Sequence, residues 1–281
     1  NEFNSMPKNF RDLGYDTAAL HGYRETFWNR NIIYKRFGFN NFYSEKNYDI
    51  DETIGLGLSD RSFLSQSVDK IKELNKPYYS FLITLSSHFP YDDVDNYGNF
   101  DVGPYEGTLL GNYLKSIHYT DEQLGMFFDK LDKEGILKDS VVVLYGDHYA
   151  IPKDHISELA KFLNKDSLSD LQWIKLQKVP MMIHFPDESN KGVNSICGGQ
   201  MDIYPTICSL FDIPNNNLMG KDLFNSKEGN VIFRDGSFID GKYYYMAQTN
   251  TYFDMITEEK IDENEDLKNK KENTLNQLEY S

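Results

Sequence analysis

An apolar run that ends in two polar residues occupies positions 142–148 and reads Val142-Val143-Leu144-Tyr145-Gly146-Asp147-His148. A short β-branched and aromatic run of this kind, bounded by glycine, predicts a buried strand. Two other runs have the same form, Ala18-Ala19-Leu20-His21 and Leu82-Ile83-Thr84-Leu85-Ser86-Ser87-His88. Each of the three predicted strands therefore has a histidine at its end or just past it.

These runs alternate with longer amphipathic stretches, which is typical of an α/β fold with a mainly parallel central sheet flanked by helices. We predict strands at residues 17–20, 79–85, 140–145, 179–185 and 231–234, and helices at 61–74, 108–131 and 201–212. Beyond residue 230, short aromatic runs predict a small antiparallel annex, followed by a charged tail from Thr257. We therefore expect a core over residues 1–228 and a small C-terminal β subdomain with its tail over 229–281.

The composition limits the classes of partner. The chain has 281 residues, and 40% of them are hydrophobic, so it can bury a large core. Its 44 acidic and 29 basic residues give a net charge of −15, which repels nucleic acid and anionic lipid surfaces at long range. An anionic substrate would need a local positive centre. The sequence has no apolar run of about 18 residues, so we expect the chain as given to be soluble.

Three strand-end histidines suggest one shared site. In open α/β sheets, ligands bind in the crevice at the carboxyl ends of the strands, so His21, His88 and His148 can converge there. The carboxylate of Asp147 and the imidazole of His148 suit a divalent metal such as manganese or zinc. Gly146 would allow the sharp turn that aims both side chains at one ion. An isolated Asp-His pair, without this strand context, is more often an ordinary exposed loop.

Other side chains near these strands offer groups for a phosphorylated substrate. His88 could give a proton to a leaving alkoxide, although a structural turn histidine explains it equally well. The guanidinium of Arg30 could bind phosphate, and Trp28 could form a flat wall for a small polyol. A surface ion pair and core packing are the ordinary alternatives for Arg30 and Trp28.

The same residues, in the same order, carry a family resemblance. The sequence resembles the lipoteichoic acid synthases, in the sulfatase-like branch of the alkaline phosphatase superfamily, from about residue 14 to residue 240. The motifs that carry the resemblance are His21-Gly22, Thr26-Phe27-Trp28-Asn29-Arg30, Ser87-His88-Phe89-Pro90-Tyr91, Leu144-Tyr145-Gly146-Asp147-His148-Tyr149 and Gly199-Gln200-Met201-Asp202-Ile203-Tyr204-Pro205-Thr206. Ser87 stands where many relatives have Asn, and Ala150 where Gly is usual, but neither position is a candidate ligand.

The resemblance implies a phosphoglycerol transferase. A threonine nucleophile would attack phosphatidylglycerol, and glycerol phosphate would pass to a growing polymer or a glycolipid outside the cell. Manganese, or magnesium in its place, would stabilise the charge. Residue by residue, Asp147 and His148 match two metal ligands, whereas His21, Trp28, Arg30 and His88 match residues that line the phosphoglycerol pocket.

Two parts of the family pattern lie upstream of the first motif. The nucleophilic threonine and a metal-binding glutamate have no counterpart here, because only about twenty residues precede His21. Thr17 and Thr26 do not follow the required strand pattern. We therefore expect the nucleophile, the glutamate and a membrane anchor to belong to an upstream part of the same gene product, on the extracellular face of the membrane.

Three other functions remain open on sequence grounds. A phosphodiesterase or sulfatase of the same superfamily would use the same ligands, with water as the final acceptor. A non-catalytic protein would keep the pocket and bind teichoic acid or a lipid headgroup. A purely structural fragment is the third alternative, although the three strand-end histidines speak against it.

Overall fold

The computed structural model describes residues 4–187, 190–214 and 219–279. Its helices are α1 (Met6–Asp12), α2 (Arg30–Arg36), α3 (Asp60–Lys72), α4 (Leu109–Lys133), α5 (Ile156–Phe162), α6 (Asp170–Lys175), α7 (Ile203–Leu210) and α8 (Glu265–Glu279). Its strands are β1 (Asp16–His21), β2 (Asn41–Tyr43), β3 (Thr53–Ile54), β4 (Gly57–Leu58), β5 (Tyr78–Ile83), β6 (Val142–Tyr145), β7 (Met181–His184), β8 (Val231–Ile232), β9 (Phe238–Ile239), β10 (Tyr243–Met246), β11 (Thr251–Asp254) and β12 (Lys260–Ile261).

The chain divides into two compact units, of which the first comprises Asn1–Leu168 and Gln177–Ser189. Its central sheet has the order β2-β1-β5, and all three strands are parallel. Parallel neighbours need crossover connections, which here contain α2 between β1 and β2, and α3 between β2 and β5. The predicted α/β fold with a parallel sheet flanked by helices is confirmed.

Successive residues of β1 show why helices cover both faces of this sheet. Ala18 and Leu20 pack in one apolar cluster with Phe63 of α3, whereas Ala19, between them, packs with Tyr34 of α2 in another. Side chains alternate across a strand, so β1 is buried on both faces. That burial explains its unbroken apolar sequence.

The strand that leads to Asp147 forms a separate pair. β6 runs antiparallel to β7, with Val142 opposite His184 and Tyr145 opposite Met181. Just past the strand, the amide of Gly146 donates to the Pro180 carbonyl at 3.0 Å. The apolar run predicted the strand, but an apolar run alone does not specify the direction of its partner.

The second unit comprises Ser169–Leu176 and Asn190–Ser281, and it confirms the predicted antiparallel annex. Its five strands have the order β12-β11-β10-β9-β8, and every pair is antiparallel. Leu267 of α8 packs with Phe238, Tyr245 and Tyr252 on this sheet. The segment that the sequence suggested only as a charged tail thus supplies a strand and a helix.

The observed second unit begins earlier than the boundary expected at residue 228. Side-chain oxygens of Asp202 accept hydrogen bonds from the amides of Gly199 (2.8 Å) and Lys221 (2.7 Å). Gly229 lies so near Cys197 that an added Cβ would stand 1.9 Å from its carbonyl oxygen. Sγ of Cys197 also donates to the carbonyl of Ile239 in β9 at 3.8 Å, so residues 190–228 are joined to the strands that follow. Within the described ranges, no helix is both long and apolar enough to cross a bilayer.

Candidate functional site

His88 and His148, two of the three strand-end histidines that the sequence predicted to converge, lie beside each other in the first unit. Their ring centroids are 5.8 Å apart, with an angle of 85° between the planes, and both side chains are exposed. Asp147 joins them, since its Oδ1 lies 3.8 Å from Nε2 of His148. Three predicted site residues, from two segments sixty residues apart, therefore meet at one place.

Asp147 and His148 have the chemistry and spacing of two ligands of one metal ion. Bonds from a divalent metal to nitrogen or oxygen are about 2.0–2.2 Å long, so two ligand atoms of one ion stand at most about 4 Å apart. Nδ1 of His148 lies 2.6 Å from the Tyr149 carbonyl and must donate to it, which leaves the lone pair of Nε2 for the metal. No group of three or more metal-ligating side chains occurs in the described part of the chain. The residues present fit part of a metal site.

The buried carboxylate of Asp60 holds the turn that carries His88, and sequence reasoning missed this residue. Oδ1 of Asp60 accepts hydrogen bonds from the amides of Leu85 (2.8 Å) and Ser86 (3.1 Å), and the amide of Asp60 donates to Oγ of Ser86 at 2.9 Å. Thr120 donates to the other oxygen at 3.1 Å. Burial raises the pKa of Asp60 against these hydrogen bonds. In the sequence, Asp60 looks like an ordinary residue of the first helical turn, so no local signal reveals this role.

A tyrosine joins the two loops that meet at the site. The hydroxyl of Tyr91 donates to the Ala150 carbonyl at 2.7 Å, and the ring packs in a cluster with Leu110 and Ile151. Tyr91 follows the His88 turn, and Ala150 follows Asp147 and His148. This single hydrogen bond therefore helps to set the distance between His88 and the proposed metal ligands.

His21 and Arg30 form a second group of predicted residues, at the end of β1. Nδ1 of His21 donates to the Ile83 carbonyl at 3.1 Å, whereas its Nε2 is buried and has no hydrogen-bond partner within the described ranges. Burial, together with the nearby charge of Arg30, lowers the pKa of His21 to about 4. The ring is therefore neutral at pH 7, and Nε2 is an acceptor.

Arg30 supplies a hydrogen-bond donor that complements the Nε2 acceptor of His21. Its Nη1 is buried, and it too lacks a hydrogen-bond partner among the residues described. The guanidinium carbon lies 5.2 Å from the ring centroid of Phe27 and 5.6 Å from that of Trp28. Buried polar groups are nearly always paired, so the unpaired Nε2 acceptor of His21 and the unpaired Nη1 donor of Arg30 indicate a place for a polar ligand.

The predicted packing alternative for Trp28 is wrong. The indole is 74% exposed and stacks on Phe27, with 5.4 Å between the ring centroids. Trp28 and Asn29 both have left-handed backbone angles, with φ of 55° and 54°. The indole is thus available as the flat wall that the sequence suggested.

The explanation given for Gly146 also needs correction. Gly146 does not have a positive φ, so conformational freedom is not what the position requires. A Cβ there would lie 2.8 Å from Cβ of Val179, in the segment that leads into β7. Glycine is needed because the two chain segments approach closely just before Asp147.

Fold and site together define a class of protein. Residues 1–213 match the model of the sulfatase family, so the chain belongs to that family. The crystal structure of a protein in the alkaline phosphatase superfamily from Vibrio parahaemolyticus has the same fold, with a TM-score of 0.74 and 20% identity over 99% of this chain and 68% of that one.

Within this class, the similarity to lipoteichoic acid synthases extends over the whole chain. The structure of lipoteichoic acid synthase LtaP from Listeria monocytogenes superimposes with a TM-score of 0.89 and 30% identity, covering 99% of this chain and 72% of that one. Lipoteichoic acid synthase 2 of Bacillus subtilis is 34% identical over 286 residues, which cover 100% of this chain and 44% of the relative. The chain therefore spans less than half the length of that curated relative.

Proposed function

We propose that this chain contributes the substrate pocket and two metal ligands to a phosphoglycerol transferase, which moves glycerol phosphate from phosphatidylglycerol to a lipoteichoic acid chain or a glycolipid. The observation that carries the proposal is the buried, unpaired pair of Nε2 of His21 and Nη1 of Arg30 beside an exposed indole. Similarity to lipoteichoic acid synthases supports the same reaction class.

The pocket groups match the parts of a phosphoglycerol headgroup. Arg30 would donate to phosphate oxygens, which provides the local positive centre that a chain of net charge −15 needs. Nε2 of neutral His21 would accept a hydrogen bond from a glycerol hydroxyl, since Nδ1 is already used. Trp28 would cover the carbon skeleton of the glycerol.

Asp147 and His148 would hold a manganese ion, or magnesium in its place. Such an ion supplies positive charge to a phosphoryl transition state. His88 is close to His148, and its Nδ1 donates to the Phe89 carbonyl at 2.7 Å, which leaves Nε2 for the substrate. When protonated, it would give its proton to the leaving alkoxide.

The remaining parts of the enzyme are assigned to sequence outside these 281 residues. A threonine nucleophile, a metal-binding glutamate and a membrane anchor would lie there, and the domain would stand on the extracellular face of the membrane. Its partners are the phosphatidylglycerol headgroup and the glycerol phosphate polymer, and nucleic acid is not among them.

Incubation of the intact extracellular domain with phosphatidylglycerol labelled in the glycerol headgroup tests this function. We expect manganese-dependent transfer of the label to polymer or glycolipid, and loss of transfer in Arg30→Gln. Arg61→Gln is the matched control, because Arg61 forms its ion pair with Glu52 and is not a pocket residue. Release of free glycerol phosphate alone would replace the transferase by a hydrolase of the same superfamily.

A further inference from the structure

Four large apolar side chains are exposed within seven consecutive residues of the first unit. The exposed fractions are 41% for Phe27, 74% for Trp28, 51% for Ile32 and 37% for Ile33. Single exposed apolar residues are ordinary on protein surfaces, but a contiguous group generally marks a surface that binds something. We call this group the 27–33 surface.

The exposure is built into the local structure. Tyr34 packs on Ala19 and Phe39 and so occupies the inner side of α2, which leaves Ile32 and Ile33 outside. The indole of Trp28, which stands at a left-handed backbone position, is exposed. An amphipathic helix of a soluble protein normally turns its isoleucines toward the core, and α2 does the opposite.

Basic residues surround these apolar side chains. Residues 24–36 contain four basic residues and one acidic residue, so this segment has a net charge of +3, whereas the whole chain has a net charge of −15. Lys35 and Arg36, in the last turn of α2, are both exposed, and neither forms an ion pair within the described residues. Since charges are screened beyond about 8 Å at physiological salt, the local charge dominates once this surface touches a partner.

We propose that the 27–33 surface docks the protein onto an anionic lipid bilayer. Aromatic rings and isoleucines would enter the boundary between headgroups and acyl chains, while Lys35 and Arg36 would contact the lipid phosphates. A second copy of this chain is a poorer occupant, because two such surfaces would bring like charges together. The proposal rests on the proposed function in that a lipid donor would lie in the same bilayer, next to Arg30 and Trp28.

Cosedimentation with vesicles tests docking without requiring turnover. The probes are vesicles of phosphatidylcholine alone and vesicles that also contain phosphatidylglycerol. We expect this chain to bind the anionic vesicles preferentially. The double variant Ile32→Ser/Ile33→Ser should lower the affinity about tenfold or more, because binding scales with the apolar area inserted. Lys35→Gln/Arg36→Gln should lower it about tenfold on the anionic vesicles only.

The matched control is Ile117→Ser/Met126→Ser, which removes two exposed apolar side chains from α4. It should leave vesicle binding unchanged, and circular dichroism should show that all variants are folded. Equal loss in the control, or no loss in either 27–36 variant, would overturn the proposal. Self-association that Ile32→Ser/Ile33→Ser abolishes, without vesicle binding, would assign the surface to a second copy.

Calorimetry with soluble glycerol 1-phosphate separates docking from the proposed function. Ile32→Ser/Ile33→Ser should bind this probe as the unchanged chain does. If the chain binds vesicles but not glycerol 1-phosphate, the headgroup pocket is refuted and the docking proposal is supported. If it binds glycerol 1-phosphate but not vesicles, the pocket is supported and the docking proposal is refuted.

Discussion

The imidazole rings of His88 and His148 stand edge to face with their centroids 5.8 Å apart, although sixty residues separate them in the chain. Both rings donate Nδ1–H to the carbonyl of the following residue, Phe89 and Tyr149 respectively. His21 uses the same nitrogen for the Ile83 carbonyl. All three strand-end histidines therefore have Nε2 available for a ligand, through one shared hydrogen-bonding pattern.

Replacement of Asp147 tests the metal assignment. In the intact catalytic domain, Asp147→Ala should lower manganese affinity at least about 100-fold, since even groups outside the first coordination shell contribute about 10–100-fold. Asp139→Ala removes an exposed carboxylate whose ion pair with Lys76 is 3.7 Å long, and it should have no effect. His88→Ala should lower turnover while affinity stays nearly constant. Calorimetric manganese affinity that is unchanged in Asp147→Ala would refute the assignment.

His21 makes stability depend on pH in a defined window. The unfolded histidine takes up a proton near pH 6.5, whereas burial lowers the pKa of the folded one to about 4. The free energy of unfolding should therefore fall as the pH drops from 6.5 to 4, by about 3 kcal/mol from this group. Carboxyl groups titrate in the same range. The measurement is therefore the difference in the free energy of unfolding, at each pH, between the unchanged chain and His21→Asn. Parallel pH profiles would mean that His21 is not protected from protonation.

Asp60 should act as the anchor of the His88 turn. Asp60→Ala leaves the buried amides of Leu85 and Ser86 without their acceptor and should lower the free energy of unfolding by about 3 kcal/mol. Asp60→Asn keeps one acceptor oxygen and should cost about 1 kcal/mol. Denaturant unfolding measures both, and NMR signals of the His88 ring should move more in Asp60→Ala than in Asp60→Asn. Equal effects of the two variants would contradict the role of the retained oxygen.

The hydroxyl of Tyr91 can be removed without changing the packing of its ring. Tyr91→Phe should cost about 1 kcal/mol of stability, because the Ala150 carbonyl loses a buried donor. It should also lower manganese affinity about tenfold in the intact domain, as loosened outer-shell partners do. Tyr113→Phe is the control, since its ring centroid lies 5.3 Å from that of Tyr91 and its hydroxyl has no hydrogen bond within the described ranges. Similar affinities of the two variants would exclude a role for this hydrogen bond.

Two leucines of α8 test whether the charged C-terminal segment is part of the folded second unit. Leu267 is fully buried on the five-stranded sheet, whereas Leu275 in the same helix is exposed. Leu267→Ala should lower the free energy of unfolding by about 2–5 kcal/mol, and Leu275→Ala by less than about 0.5 kcal/mol. Thermal or denaturant unfolding checks this. Two equally small effects would indicate that α8 does not stabilise the unit.

The sequence predicted what depends on short-range pattern. Apolar runs gave β1, β5, β6 and β7, and amphipathic spacing gave α3 and α4, because burial imposes periods of two and 3.6 residues on neighbouring positions. It missed α8, since a single fully buried leucine among charged residues makes only a weak stripe. It also missed the antiparallel pairing of β6, because strand direction depends on the partner.

For the site, the sequence by itself selected the residues that we propose to carry the chemistry: His21, Trp28, Arg30, His88, Asp147 and His148. Only the tertiary structure decided their states. Burial makes His21 neutral, the contact between two loops brings His88 to His148, and Asp60 and Tyr91 hold that arrangement. The physical reason is that protonation and positioning depend on desolvation and on hydrogen bonds between residues far apart in the chain, and a local pattern contains neither.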